Sequence, residues 1–173
     1  MIPFTEAIKR GLTMYRWREN YAYFYGAKGV TLSDSVMDAL IAAEPGYFKK
    51  YTPEEIRQIK KNSRGKIGYD CSGFTGLCTG DKQWSTGQIN NCSRITTPKD
   101  GTEGSLLYTT FGGTGRHIGL DIGKGFCLDT GYESTDENVR LKRDSIRLTR
   151  ISETAWEKSG QTKVMDYTGA TNL

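Results

Sequence analysis

The order of local patterns along the 173-residue chain predicts an α+β domain with an antiparallel sheet. Capped or amphipathic segments, which indicate helices, occupy most of the chain before residue 65. Short runs rich in apolar and β-branched residues, separated by glycine-containing turns, follow residue 104. A chain of this length is sufficient for one domain with its own core. We therefore expect a single domain over residues 1–173.

Helix signals appear three times in the first part of the chain. Apolar residues at helical spacing mark the segment 5–20, which Thr5 opens. A second helix is predicted between Ser33, as its N-cap, and the helix-stopping Pro45. The pattern "TPEE", with Thr52 in the N-cap position, is a capping box that predicts a third helix.

Strand signals dominate the second part. The runs "SLLYTTF" and "RHIGLDIG" predict two strands, and "FCLDTG" predicts the return strand of a hairpin whose turn is "GKG". Two further short strands are expected in "IRLTRI" and "TKVMDYTG". The polar residues 80–104 between the two parts are expected to be irregular.

Composition narrows the classes of function. The net charge of +4 comes from scattered lysines and arginines, which favours a solvated surface over a nucleic-acid site. No apolar run is long enough to cross a membrane, and the N-terminal segment lacks the apolar core of a Sec signal. We expect synthesis in the cytoplasm. One histidine and no C-x-x-C pair argue against a metal site, and no cofactor is expected.

Cys71 is the candidate nucleophile. It lies in "GYDCSGF" at the start of a predicted helix over 71–78, and a helix N-terminus stabilises a thiolate. The small residues Ser72 and Gly73 would let a substrate carbonyl approach the backbone amides, which would form an oxyanion hole. The remaining cysteines are expected to be small buried residues, namely Cys78, Cys92 and Cys127.

His117 must be the base, because the chain has no other histidine. Strand alternation places it on the face opposite Ile118 and Leu120, so that it would look toward a packed helix or a cleft. Asp129, on the return strand, is the preferred group to orient the imidazole. Asp121 is the rival on the same strand, and Asp136 is a third choice. Structural roles for all these residues stay open, so a non-catalytic binding module is an alternative.

The motifs "DCSGF" and "HIGLDIG", in this order, resemble the NlpC/p-sixty cysteine peptidases of bacterial cell walls, a papain-like superfamily. The resemblance implies a papain-like α+β fold with Cys71, His117 and Asp129 as the catalytic residues, although the family more often has His, Asn or Gln in the third position. It also implies an inserted helical segment at about 30–65. Further substrate contacts are implied for Tyr23, Asp70 and Ser72.

The same resemblance implies hydrolysis of an amide bond in peptidoglycan stem peptides by thiol acyl transfer. The expected bond is γ-D-glutamyl to the diamino acid, cut by a monomeric phage or prophage endolysin that reaches the wall by holin release, injection or lysis. N-acetylmuramoyl-L-alanine amidase activity is the nearest alternative. A transferase on the same scaffold, in which an amine or alcohol replaces water, also stays open.

Overall fold

The computed structural model describes residues 1–131 and 146–171, so that the candidate Asp136 lies outside the described residues. Helices in these ranges are α1 Phe4–Arg16, α2 Asp34–Ala43, α3 Pro45–Phe48, α4 Pro53–Ser63, α5 Cys71–Thr79 and α6 Ser85–Asn90. The strands are β1 Ile2–Pro3, β2 Tyr21–Tyr23, β3 Lys28–Thr31, β4 Ile67–Tyr69, β5 Cys92–Thr96, β6 Leu106–Phe111, β7 Thr114–Gly123, β8 Phe126–Thr130, β9 Ile146–Arg150, β10 Lys158–Thr162 and β11 Met165–Asp166.

The main sheet has six strands in the order β5-β10-β6-β7-β8-β9. Every neighbouring pair in it is antiparallel, which confirms the predicted α+β class with an antiparallel sheet. Lys124 in the β7–β8 turn has a φ of +55° between two glycines that also have positive φ. The "GKG" sequence suits this turn because glycine adopts the left-handed region without steric cost.

A second, three-stranded sheet carries the nucleophile. Its order is β2-β4-β3, with β4 parallel to β2 and antiparallel to β3. Because β4 ends at Tyr69 and α5 begins at Cys71, this sheet fixes where the nucleophile helix starts. The two-residue strands β1 and β11 form a separate parallel pair.

Two of the three predicted helix starts are present, but Thr5 does not open α1, which begins at Phe4 after Pro3 and has no side-chain cap. The Ser33 hydroxyl accepts a hydrogen bond of 3.2 Å from the Val36 amide at the start of α2. Thr52 forms the predicted capping box with Glu55, through bonds of 3.2 and 2.7 Å. The first helix is shorter than the predicted 5–20, because the chain leaves helical geometry at Trp17.

Helices α1 and α5 pack on one face of the main sheet. Leu120 and Leu128 of the sheet approach Gly11 of α1 and Cys78 of α5, in a core cluster that also holds Ile118. The apolar face of β7 thus goes to the core, where α5 packs on it, and of the two expected surroundings for the histidine face, a helix or a cleft, the structure has the cleft. The opposite face carries a smaller cluster with Trp156 packed against it, formed by Leu107, Cys127 and Ile151.

The expectation of irregular structure over 80–104 is wrong. This segment contains α6 and the edge strand β5, which pairs with β10. The buried Gln88 side chain holds α6 to the nucleophile helix, since its amide donates to the Ser72 carbonyl at 2.8 Å and its oxygen accepts from Thr75 at 2.6 Å. Cys92 is half-buried rather than buried. Among the described residues, no helix combines the length and apolarity needed to span a bilayer.

Candidate active site

The nucleophile helix begins with a side-chain cap. Asp70 is the N-cap of α5, and its Oδ1 accepts a hydrogen bond of 2.7 Å from the Gly73 amide. Cys71 follows as the first helical residue and is partly exposed, whereas Cys78, about two turns further along the helix, is buried. The local sequence therefore presents one thiol at a helix N-terminus, where the aligned peptide dipoles favour an anion.

His117 joins Cys71 and Asp129 in one group. Its Nε2 lies 3.3 Å from Asp129 Oδ2, and the Cys71 thiol lies near enough to its ring to influence its pKa. Because Nε2 faces the carboxylate, Nδ1 is the nitrogen available to the sulfur. The structure thus brings together the three residues predicted for catalysis, in the order thiol, imidazole, carboxylate.

A β-bulge lies beside the histidine, where the pairing of β6 with β7 shifts register between Thr109 and Thr110. Bulges redirect side chains relative to regular alternation and are common next to active sites. Trp156 stacks on the His117 ring, with centroids 5.3 Å apart and planes 5° from parallel. A Cβ at Gly119 would lie only 2.9 Å from the Trp156 indole, so the glycine of "HIG" leaves room for this stacking.

Asp129 is itself held by Arg147. The guanidinium donates from Nε to Oδ1 at 3.0 Å and from Nη2 to Oδ2 at 2.7 Å, a two-bond geometry that orients the carboxylate firmly. Asp129 is 2% exposed. Strand pairing explains the contact, because Asp129 of β8 and Arg147 of β9 are register partners.

Electrostatics of the group favour a charged imidazole. Burial alone lowers the pKa of His117, but the hydrogen bond to Asp129 and the interactions with the Cys71 sulfur and the Asp129 carboxylate outweigh it and raise the pKa to about 9. Burial likewise acts to raise the pKa of Asp129, and the bonds from His117 and Arg147 reverse this, so that its pKa lies below the usual value. The arrangement therefore favours an imidazolium beside an ionised carboxylate.

Asp121 does not join this group. Its side chain is fully buried, and its Oδ1 accepts a hydrogen bond of 2.8 Å from the Gly123 amide in the following turn. Burial, the largest influence, raises the pKa of Asp121 to about 7. Of the two rival aspartates, Asp129 is the one that the fold places against His117.

The three residues open into a cleft of about 560 Å³. Tyr23, a predicted substrate contact, lines it. The helical segment at 30–65 contributes Tyr47 and Lys50 to one wall, and β7 contributes Arg116. The rings of Tyr25 and Tyr47 stack with centroids 4.0 Å apart, which gives that wall a flat aromatic surface.

The predicted substrate contacts at Asp70 and Ser72 are placed differently. Both side chains are 1% exposed, and neither lines the cleft. Lys28 of β3 occupies their acceptors, with its Nζ at 2.6 and 2.8 Å from the Asp70 oxygens and 2.5 Å from Ser72 Oγ. An internal ammonium therefore stands where the resemblance implied the amino end of a peptide.

The predicted oxyanion hole also needs correction. The Gly73 amide is used by the Asp70 cap, and a Cβ at Gly73 would lie 2.4 Å from the Ala27 carbonyl oxygen. Gly73 is therefore small because the backbone of the neighbouring segment passes close to it. Phe74 donates the first intrahelical bond, to the Asp70 carbonyl, so the amides of Cys71 and Ser72 are the two left for an oxyanion.

Sequence reasoning missed Lys28, Arg147 and Trp156. A signal for Arg147 existed, because "IRLTRI" was predicted to be a strand. An arginine on a strand next to the strand of Asp129 can form an ion pair with that carboxylate. Lys28 and Trp156 had no comparable local signal. Among residues 1–131 and 146–171, no group of three or more His, Cys, Asp or Glu side chains could hold a metal ion.

No family model and no curated protein sequence matches the chain. Several solved structures resemble it, and two of them are the following. One is the P60 domain of the antigen MAP1204 from Mycobacterium avium subspecies paratuberculosis, with a TM-score of 0.53 and 14% identity over 95% of this chain and 98% of that one. The other is the peptidoglycan hydrolase RipB from Mycobacterium tuberculosis, with a TM-score of 0.52 and 16% identity over 95% of this chain and 67% of that one. The chain shares the fold of these two proteins.

Proposed function

We propose that the protein is a cysteine hydrolase that cleaves an amide bond in peptidoglycan stem peptides. The observation that carries the proposal is the group Cys71–His117–Asp129 in one cleft. The fold is shared with a protein described as a peptidoglycan hydrolase, which supports the choice of substrate.

The mechanism follows from the contacts. His117 Nδ1 takes the proton of the Cys71 thiol, and Asp129 stabilises the imidazolium through Nε2. The thiolate attacks the substrate carbonyl, and the amides of Cys71 and Ser72 bind the oxyanion that forms. His117 then gives its proton to the leaving amine, which leaves a thioester on Cys71. Water, deprotonated by His117, hydrolyses the thioester and restores the thiol.

Within the stem peptide, we propose the bond between γ-D-glutamate and the diamino acid. A γ-linked D-glutamate keeps a free α-carboxylate beside that bond, and the cleft is lined by the basic side chains of Lys50 and Arg116 as well as by Glu157. Opposite charge at short range favours binding of such a peptide. We further propose that the protein acts as a monomer at the cell wall, as a phage or prophage endolysin, with Tyr23 in contact with the substrate.

The test is digestion of purified peptidoglycan, with mass spectrometry of the soluble fragments. Wild-type protein should release peptides, and Cys71→Ala and His117→Ala should release none. Cys92→Ala, which removes the other partly exposed thiol, is the matched control and should cut like the wild type. The new termini identify the bond, since fragments that begin at L-alanine would indicate the amidase alternative.

A transferase and a binding module predict other outcomes. Products that carry an added amine, when one is supplied in excess, would indicate transfer to a nucleophile other than water. Undiminished release of peptides by Cys71→Ala would refute the cysteine mechanism. Binding of the wall without release of any fragment, by wild type and variant alike, would favour a non-catalytic module.

A further inference from the structure

The residue before the nucleophile carries a buried negative charge. Asp70 is 1% exposed and adjoins Cys71 in the chain. It accepts hydrogen bonds from the amides of Gly26 at 3.1 Å and Gly73 at 2.7 Å, and from the Ser72 hydroxyl at 3.0 Å. Three donors therefore converge on this carboxylate. A negative charge on the residue next to Cys71 would oppose the formation of a thiolate there.

Lys28 supplies the opposite charge at this point. Its ammonium contacts both Asp70 oxygens and the Ser72 hydroxyl, and its side chain is only 21% exposed. The Trp84 ring lies 3.9 Å from Nζ, in cation–π geometry. Backbone pairing fixes the approach, because Lys28 of β3 is the register partner of Tyr69, which immediately precedes Asp70.

We propose that Lys28 is a positioning residue for catalysis, which neutralises Asp70 so that the carboxylate can cap the nucleophile helix without repelling the Cys71 thiolate. The cap itself is needed, because it satisfies an N-terminal amide of α5. The negative charge of Asp70 is not needed for capping, and it opposes the formation of the Cys71 thiolate. The lysine allows both requirements to be met. This inference rests on the proposed role of Cys71 as nucleophile.

The experiment is the pH dependence of Cys71 alkylation by iodoacetamide, followed by mass spectrometry of the Cys71 peptide. Lys28→Met should move the midpoint of the profile up by about one pH unit, the size of effect expected of one uncompensated neighbouring charge. Below the midpoint, alkylation should then be about tenfold slower. Well above the midpoint, the two proteins should react at the same rate.

Asp70→Asn should move the midpoint in the opposite direction. The asparagine can still cap α5, while the Lys28 ammonium, which also contacts Ser72, is left without its counter-charge at the start of the helix. The double variant Lys28→Met/Asp70→Asn should return the midpoint close to that of the wild type. Because the signs differ, this set separates an electrostatic role from a loss of structure, and Asp70→Asn tests it even if Lys28→Met does not fold.

Lys60→Met is the matched control. Lys60 is 20% exposed and pairs with Asp38 at 2.7 Å on the helical segment, so it is a lysine of similar burial in a different ion pair. Its profile should be that of the wild type. The inference is overturned if folded Lys28→Met keeps the wild-type midpoint, or if Lys28→Met and Asp70→Asn move it in the same direction. Alkylation reports on the thiol whether or not peptidoglycan is cut, so failure of the proposed function is a separate result.

Discussion

Replacing Asp129 with asparagine should move the titration of His117 by an amount that can be worked from the structure. The pKa of His117 is about 9, against an ordinary value of 6.5. The difference, 9 − 6.5, corresponds to about 3 kcal/mol in favour of the imidazolium. The side chain is 29% exposed, so solvent screens this interaction only in part. Asp129 is the permanent anion at Nε2, and we expect it to account for most of the difference.

In Asp129→Asn, the pKa of His117 should therefore fall to about 7, close to that of an unperturbed imidazole. Because the imidazolium is lost above this pH, the alkaline pKa of the kcat/KM profile should decrease from about 9 to about 7. At pH 8, the protonated fraction would decrease from about nine-tenths to about one-tenth, and the rate would decrease about tenfold.

Nuclear magnetic resonance gives a direct assay, because the chain has one histidine and its imidazole signal is unambiguous. The control is Asp121→Asn, which changes the rival aspartate by the same substitution and should leave the titration of His117 unchanged. The reasoning is refuted if the midpoint in Asp129→Asn coincides with that of the wild type, or if Asp121→Asn moves it instead.

Three further outcomes are expected. Folding raises the pKa of Asp121 from 3.8 to about 7, so the free energy of unfolding should be highest below pH 4 and should decrease as the pH rises to 7. Asp121→Asn should abolish that decrease in urea unfolding, with a gain of up to about 4 kcal/mol above pH 7. The same decrease in the variant as in the wild type would contradict this prediction. Trp156→Ala should lower kcat about tenfold with little change in KM, because the stacked ring no longer holds His117, and Trp17→Ala, at an exposed tryptophan, should not. Since Lys28 occupies Asp70 and Ser72, stem peptides with free and acetylated amino ends should be cut at equal rates; a clear preference for the free amine would show that the substrate displaces Lys28.

The nucleophile, the base and the hairpin between His117 and Asp129 could be predicted because their signals are local. Asp70 caps the helix that begins one residue later, and the turn that brings Asp129 back toward His117 is two residues long. The capping residues Ser33 and Thr52 were predictable for the same reason. In each case, a few neighbouring residues determine the backbone.

The remaining parts of the site depend on contacts between distant segments. Lys28 reaches Asp70 across 42 residues, and the bond from Ser93 to Gln161 that joins β5 to β10 spans 68. Local pattern carries no information on such pairings, which explains why 80–104 was expected to be irregular. It also explains the wrong oxyanion donor, because the close approach of Ala27 to Gly73 is a tertiary contact.

The place of β10 in the sheet has a consequence for the order in which the parts of the site come together. This strand lies between β5 and β6, both of which precede it by many residues, so the sheet stays divided until β10 is synthesised and inserted. Arg147 and Trp156, which hold Asp129 and His117, also come late in the chain. A nascent chain therefore displays its thiol well before the imidazole is fixed against it. Completion of the sheet is therefore the step that assembles the group Cys71–His117–Asp129.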